Sequence, residues 1–262
     1  MDMRAEVWSP LQNTAVWLGA WLWGHVSADD LLEALTALGG EHTVEERDEY
    51  GNVEQLPFID LLSELRTATS DIISRREREP VLRVVLGGPG EAVALPAGTS
   101  AGRAAQSTGG AIVVRTNNPS THIILTTHSR PTGTSWRVFD EEAPLPAPAW
   151  LSPGEADALL SAATNEAAAL IEAQGYVSTE LSNPRLTVGT LSDFYDTPGL
   201  PSCVPGRAAK LFARADRVAA IIETVTQRAG DHRYDPQLFR LWRHIRQARI
   251  AGVSYALSDF PR

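Results

Sequence analysis

The side chains best placed to do chemistry lie near the carboxyl end, where cations recur at helical spacing. Arg207, Lys210, Arg214 and Arg217 are separated by three, four and three residues. At about 100° per residue they fall in one sector of a helix. Arg240, Arg243, Arg246 and Arg249 recur at every third position, on the half opposite Leu241 and Ile245. Two such faces suit charge-assisted hydrogen bonds to carboxylate or phosphate. The expected occupant is an acidic protein surface or another subunit. The bland expectations are solvated faces, or faces paired with acids of the same chain.

The charge distribution frames these alternatives. Residues 1–202 hold 12 Arg and 27 acids, whereas residues 203–250 hold 9 Arg, Lys210 and 4 acids. The whole chain of 262 residues carries a net charge of −9. An acidic chain repels nucleic acid and anionic membranes at long range. With no nucleic-acid-binding module beside the basic segment, the sequence favours a protein partner or self-association over nucleic acid.

Catalytic chemistry has thinner support. His122, His128 and Asp140 are the acid–base candidates for an enzyme on a small anionic substrate held between a sheet and the basic helices, with residues 176–206 as a lid. The separation of six residues from His122 to His128 spans about 20 Å of strand, too far to share a metal. No metal or cofactor is expected. The run Gly87-Gly88-Pro89-Gly90-Glu91 follows an apolar run but lacks the Lys-Ser/Thr of a phosphate loop, and reads as a β-turn. Cys203, the single cysteine, has no predicted base beside it. No nucleophile elbow, zincin or kinase motif occurs. The expectation is therefore a non-enzymatic binding or regulatory protein, with no catalytic residue assigned.

These side chains need a scaffold. A composition of 43% hydrophobic and 21% charged residues is that of a folded protein. Ser9-Pro10 opens a helix to about residue 24 that carries Trp17, Trp21 and Trp23, which either are buried or anchor a partner. Ser27 with Asp30 forms a capping box before Leu31, Leu32, Leu35 and Leu38. Pro57 starts a third helix along Phe58, Leu61, Leu62 and Leu65.

Strands are predicted over 81–86, 91–95, 111–116, 121–127 and 134–139, with a further hairpin from 42–47 and 53–56. Their short turns imply antiparallel pairing. Ser152-Pro153-Gly154-Glu155 starts a helix ending near Gly175, and two helices over about 205–229 and 235–252 make an antiparallel hairpin. The fold class is α+β: a mainly antiparallel sheet of about five strands, flanked by N-terminal helices and a C-terminal helical layer. One domain over 1–262 is expected, with a helical part at 1–80, a β-rich middle at 81–142 and the helical layer at 150–262.

The apolar stretch Ala15–Trp23 is too short to span a bilayer, and its mixed-charge flank does not read as a signal peptide. With one thiol and therefore no internal disulfide, a cytoplasmic location is expected.

Three strings, Leu82-Arg83-Val84-Val85-Leu86-Gly87-Gly88-Pro89-Gly90, Val204-Pro205-Gly206-Arg207-Ala208-Ala209-Lys210-Leu211 and Ala20-Trp21-Leu22-Trp23-Gly24-His25-Val26-Ser27, resemble an actinobacterial group of conserved, uncharacterised proteins. The resemblance spans most of the chain. It implies no activity, cofactor or catalytic residue to carry over.

Overall fold

The computed structural model describes residues 10–47, 52–88, 90–173, 199–229 and 235–262. Within them the chain runs α1 (Leu11–Leu22), α2 (Ala28–Gly39), β1 (Glu41–Arg47), β2 (Val53–Pro57), α3 (Phe58–Ser74), β3 (Leu82–Leu86), α4 (Ser100–Thr108), β4 (Gly110–Arg115), β5 (His122–Arg130), β6 (Gly133–Glu141), α5 (Pro153–Ala173), α6 (Gly206–Ala229) and α7 (Asp235–Asp259). The fold is α+β, with helices on both chain-terminal sides of one six-stranded sheet. Among the described residues no helix is long and apolar enough to cross a membrane.

The sheet order is β2-β1-β6-β5-β4-β3. All neighbours are antiparallel except β1 and β6, which run parallel. That pairing is non-local, so no turn signal announces it. The expected strand over Glu91–Leu95 is absent, and only a single bridge joins Gly88 to Glu91. Instead, an unforeseen helix, α4, links β3 to β4. Its sequence is a weak helix former, containing Gly102, Ser100, Ser107 and Thr108. Capping and burial override propensity: the Thr99 hydroxyl accepts from Gly102 N–H, Gly109 ends the helix at φ 78°, and Ala101, Ala104 and Ala105 face the sheet.

Strand alternation sends side chains to two cores. Leu82, Val84, Ile112, Val114, Leu125 and Trp136 pack beneath α1, α2 and α3, joined by Phe212 of α6 and Val253 and Leu257 of α7. The opposite face places Val85, Ala111, Val113 and Ile124 under α4. A third core lies among α5, α6 and α7, around Leu160, Leu211, Ile222, Trp242 and Ile245. Helix α7 serves two cores because it packs on β3 and α1 as well as on α5 and α6. Gly19 of α1 permits that approach: a Cβ there would sit 2.1 Å from Leu257 Cδ2. Filling that space would displace a fully buried leucine whose burial contributes about 1.5–3 kcal/mol.

The N-terminal tryptophans are largely core material. Trp21 is buried, and Trp17 and Trp23 pack partly buried against the same core. The Trp17 indole N–H donates to the Gly199 carbonyl at 3.0 Å, and the Arg66 guanidinium lies 4.5 Å over the Trp21 ring. Trp8 and residues 176–198 of the expected 176–206 loop lie outside the described residues.

Candidate functional site

A cleft of about 830 Å³ opens where the start of α5, the first half of α6 and the end of α7 meet. Local sequence signals fix each wall. At α5, Ser152 and Glu155 close a capping box: Ser152 N–H donates to Glu155 at 2.9 Å, and Glu155 N–H donates to the Ser152 hydroxyl at 3.2 Å. Hydrogen bonding to its carboxyl by the Ser152 side chain, and then by the Ser152 backbone N–H, holds Glu155 below its ordinary range. At α6, Pro205 precedes the helix and its carbonyl accepts from Ala208 and Ala209 N–H. The α6 first turn contains no acid. Arg207 in that turn therefore faces the positive end of the helix dipole, which disfavours a cation by about 0.3–1 kcal/mol.

The floor of the cleft is apolar, formed by Leu151, Pro153, Leu211 and Tyr255. Arg207, Lys210 and Arg214 line it together with the acids Glu155 and Asp157. Trp150 lines the mouth and is 62% exposed, the largest exposed apolar side chain described. Sequence reading missed Trp150; the signal available was a lone indole following a proline-rich connector, with no periodic stripe to bury it.

The structure divides the expected basic residues. Arg214 Nε lies 3.0 Å from Asp157, and its guanidinium also donates to the Ser161 hydroxyl. Arg240 pairs with Glu166 at 2.7 Å. Arg243 and Arg246 share Glu91, at 3.8 and 3.2 Å. Arg249 is buried, with Nη2 2.8 Å from Asp216 and Nη1 donating to Gln12 at 2.7 Å. The Arg249–Asp216 contact is an ion pair without linear hydrogen-bond geometry. Arg207, Lys210 and Arg217 are exposed and have no acidic partner among the described residues.

Glu91 owes its place to the glycine-rich turn. Gly88 and Glu91 exchange two backbone hydrogen bonds of 2.9 Å, so the segment is the expected β-turn. Its Glu91 carboxylate accepts from the protein's own Arg246. A Cβ on Gly88 would lie 2.5 Å from Arg246 Nη1, so the absence of a side chain there lets the guanidinium approach the turn.

The acid–base candidates do not converge. His122 pairs in register with Glu141, His128 with Ser135, and Asp140 with Ile123. Alternation therefore puts Asp140 on the face of Ile123, opposite the two histidines. His128 Nε2 lies 3.4 Å from Glu45, which also accepts from the buried Ser135 hydroxyl at 3.1 Å. Burial, then Arg83 and Arg115, lower the His122 pKa. None of the three lines the cleft. Burial pushes the Cys203 thiol up, away from the thiolate a nucleophile needs. No group of three or more His, Cys, Asp or Glu residues is placed to hold a metal among the described residues.

Residues 12–150 match the family described as Rv1486c-like protein, N-terminal domain, and residues 154–250 match its C-terminal domain. The chain belongs to the Rv1486c-like family. Two relatives from Mycobacterium tuberculosis, the uncharacterized proteins MT1533 (strain CDC 1551 / Oshkosh) and Rv1486c (strain ATCC 25618 / H37Rv), are each 26% identical to it over a 287-residue alignment. Those alignments cover 96% of this chain and 98% of each relative. No solved structure matches. The two Rv1486c-like regions meet at residues 151–153, so the cleft lies at their junction: Trp150 belongs to the first match, and α5 and α6 to the second.

Proposed function

We propose that this Rv1486c-like chain is a non-enzymatic binding protein that holds an acidic protein segment in the cleft between α5 and α6. Arg207 and Lys210 contact carboxylates of the segment, and Trp150 covers its apolar side chains. Arg217, one turn beyond Arg214 on the same helix, extends the attractive field along α6. The reading rests on one observation: most of the described cations of α6 and α7 are matched by acids of their own chain, and two of those left over line a cleft beside an exposed indole. A surface aromatic next to unpaired cations is the composition of a protein-recognition patch. Arg214, Arg240, Arg243 and Arg246, also expected to bind, serve in this reading as internal partners.

A labelled glutamate-rich peptide tests the reading. The wild-type chain should bind it, with affinity falling as salt rises. Arg207→Glu combined with Lys210→Glu should weaken binding at least tenfold with no loss of thermal stability, since an acid suits the first turn of α6 better than a cation. Equal binding by both proteins, or binding by neither, defeats the proposal.

A further inference from the structure

A second patch on the same molecule has the opposite character to the cleft. At the β2 edge of the sheet, Glu46 and Glu54 stand directly opposite one another across β1 and β2. Like charges in that position destabilise a strand pair, and no cation faces them among the described residues. The first turn of α3, which packs against β1 and β2, adds Asp60 and Ile59, both exposed. Ile59 is 48% exposed and Val53 of β2 is 47% exposed. Val53 pairs in register with Arg47, so alternation turns it to the other face of the sheet; the corner therefore offers acids beside the exposed Ile59, while the cleft offers cations beside an exposed indole.

We infer that the segment held in the cleft is the β2–α3 corner of a second copy of this chain. The inference rests on the binding role proposed above and names its partner. Arg207 and Lys210 would face Glu46, Glu54 and Asp60, and Trp150 would pack on Ile59. Such contact relieves both the Glu46–Glu54 repulsion and the cationic start of α6.

The two patches cannot meet within one molecule. β2 and β3 are the two edges of the sheet, five strand spacings apart, or roughly 24 Å at about 4.8 Å each. One wall of the cleft is α7, which packs on β3. The contact therefore joins the corner of one copy to the cleft of another, and it closes as a reciprocal two-fold dimer or continues as a ring or an open chain.

Sedimentation velocity over a hundredfold concentration range is the test. The wild-type chain should sediment faster as concentration rises, and as a monomer at about 1 M salt, where screening acts within about 3 Å. Arg207→Glu with Lys210→Glu should stay monomeric, as should Glu54→Arg with Asp60→Arg. An equimolar mixture of the two variants should reassociate, because each reversed patch meets a complementary one; this also shows that both are folded. A wild-type monomer at every concentration overturns the inference, as does association untouched by either variant. If the glutamate-rich peptide still binds the monomer, only the choice of partner has failed. If it does not, the binding role has failed too.

Discussion

Helices α6 and α7 carry cations at similar spacing and meet different surroundings. Along α7, Arg243 and Arg246 face Glu91, Arg249 faces Asp216, and Arg240 faces Glu166. In the first half of α6, Arg207, Lys210 and Arg217 face solvent, and only Arg214 has an acid beside it. Position in the fold explains the contrast. Helix α7 is wedged between β3, α1, α5 and α6, and a charge taken out of water without a partner costs several kcal/mol. The outer side of α6 loses no water, so nothing in folding requires its cations to be paired. Pairing at Arg246 and Arg249, the two buried cations of α7, answers a problem of burial; charge on the outer side of α6 is free to answer one of binding.

The largest expected effect comes from the buried end of α7. Asp216→Ala leaves the Arg249 guanidinium, 2% exposed, with only Gln12. The change should cost about 3–5 kcal/mol in urea unfolding. Replacing both residues, Arg249→Met with Asp216→Leu, should recover most of that loss, since well-packed apolar pairs match buried ion pairs. If the single variant unfolds at the wild-type midpoint, the α7 cations are not held by burial and the contrast with α6 collapses.

Gly88→Ala gives a smaller effect from the other partner of α7. The added methyl, 2.5 Å from Arg246 Nη1, must push the guanidinium off the turn, weakening its bond to Glu91. Arg246 is 4% exposed, so a loss of about 1–3 kcal/mol is expected. An unchanged midpoint would mean that Glu91 follows the displaced side chain, and that the turn does not fix α7 on the sheet.

How much of this was legible in the sequence depended on range. The Ser27 and Ser152 capping boxes, the β4–β5 and β5–β6 hairpins and the leucine stripes of α2 and α3 are encoded within a few residues, and they form as expected. Helix α4 escaped because its nine residues carry alanine where a stripe would show leucine. The parallel β1–β6 pair escaped because its partners are about ninety residues apart. The site was half legible for the same reason. Spacing alone aligned Arg207, Lys210, Arg214 and Arg217, but which arginines are neutralised is decided by Glu91, Asp157, Glu166 and Asp216, most of them distant in sequence.

His42 sharpens the contrast by solving burial without a counter-charge. Its Nδ1 accepts the Trp136 indole N–H at 2.8 Å and its Nε2 donates to the Leu35 carbonyl at 2.8 Å. Both nitrogens are thus committed to the neutral ring, and burial lowers its pKa. Between that lowered value and the unfolded value of about 6.5 the unfolded chain binds more protons. Stability is therefore full above pH 6.5 and declines as the pH falls through that window. His122 and His244, also lowered by burial first, push the same way. Urea midpoints from pH 8 to pH 5 should fall, and less steeply for His42→Gln. A pH-independent midpoint would show that the ring is not held neutral.

Arg240 marks where the α7 rule should run out. Its bond to Glu166 is short, 2.7 Å, yet the two side chains are 69% and 56% exposed. Water already solvates both groups, and an exposed pair is worth about 0–1 kcal/mol. Arg240→Ala should move the urea midpoint barely above measurement error, and its small effect should vanish in high salt, whereas the Asp216→Ala loss should persist there. Were Arg240→Ala to cost as much as Asp216→Ala, pairing along α7 would follow from charge spacing instead of burial. The open cations of α6 would then need some reason other than position for standing alone.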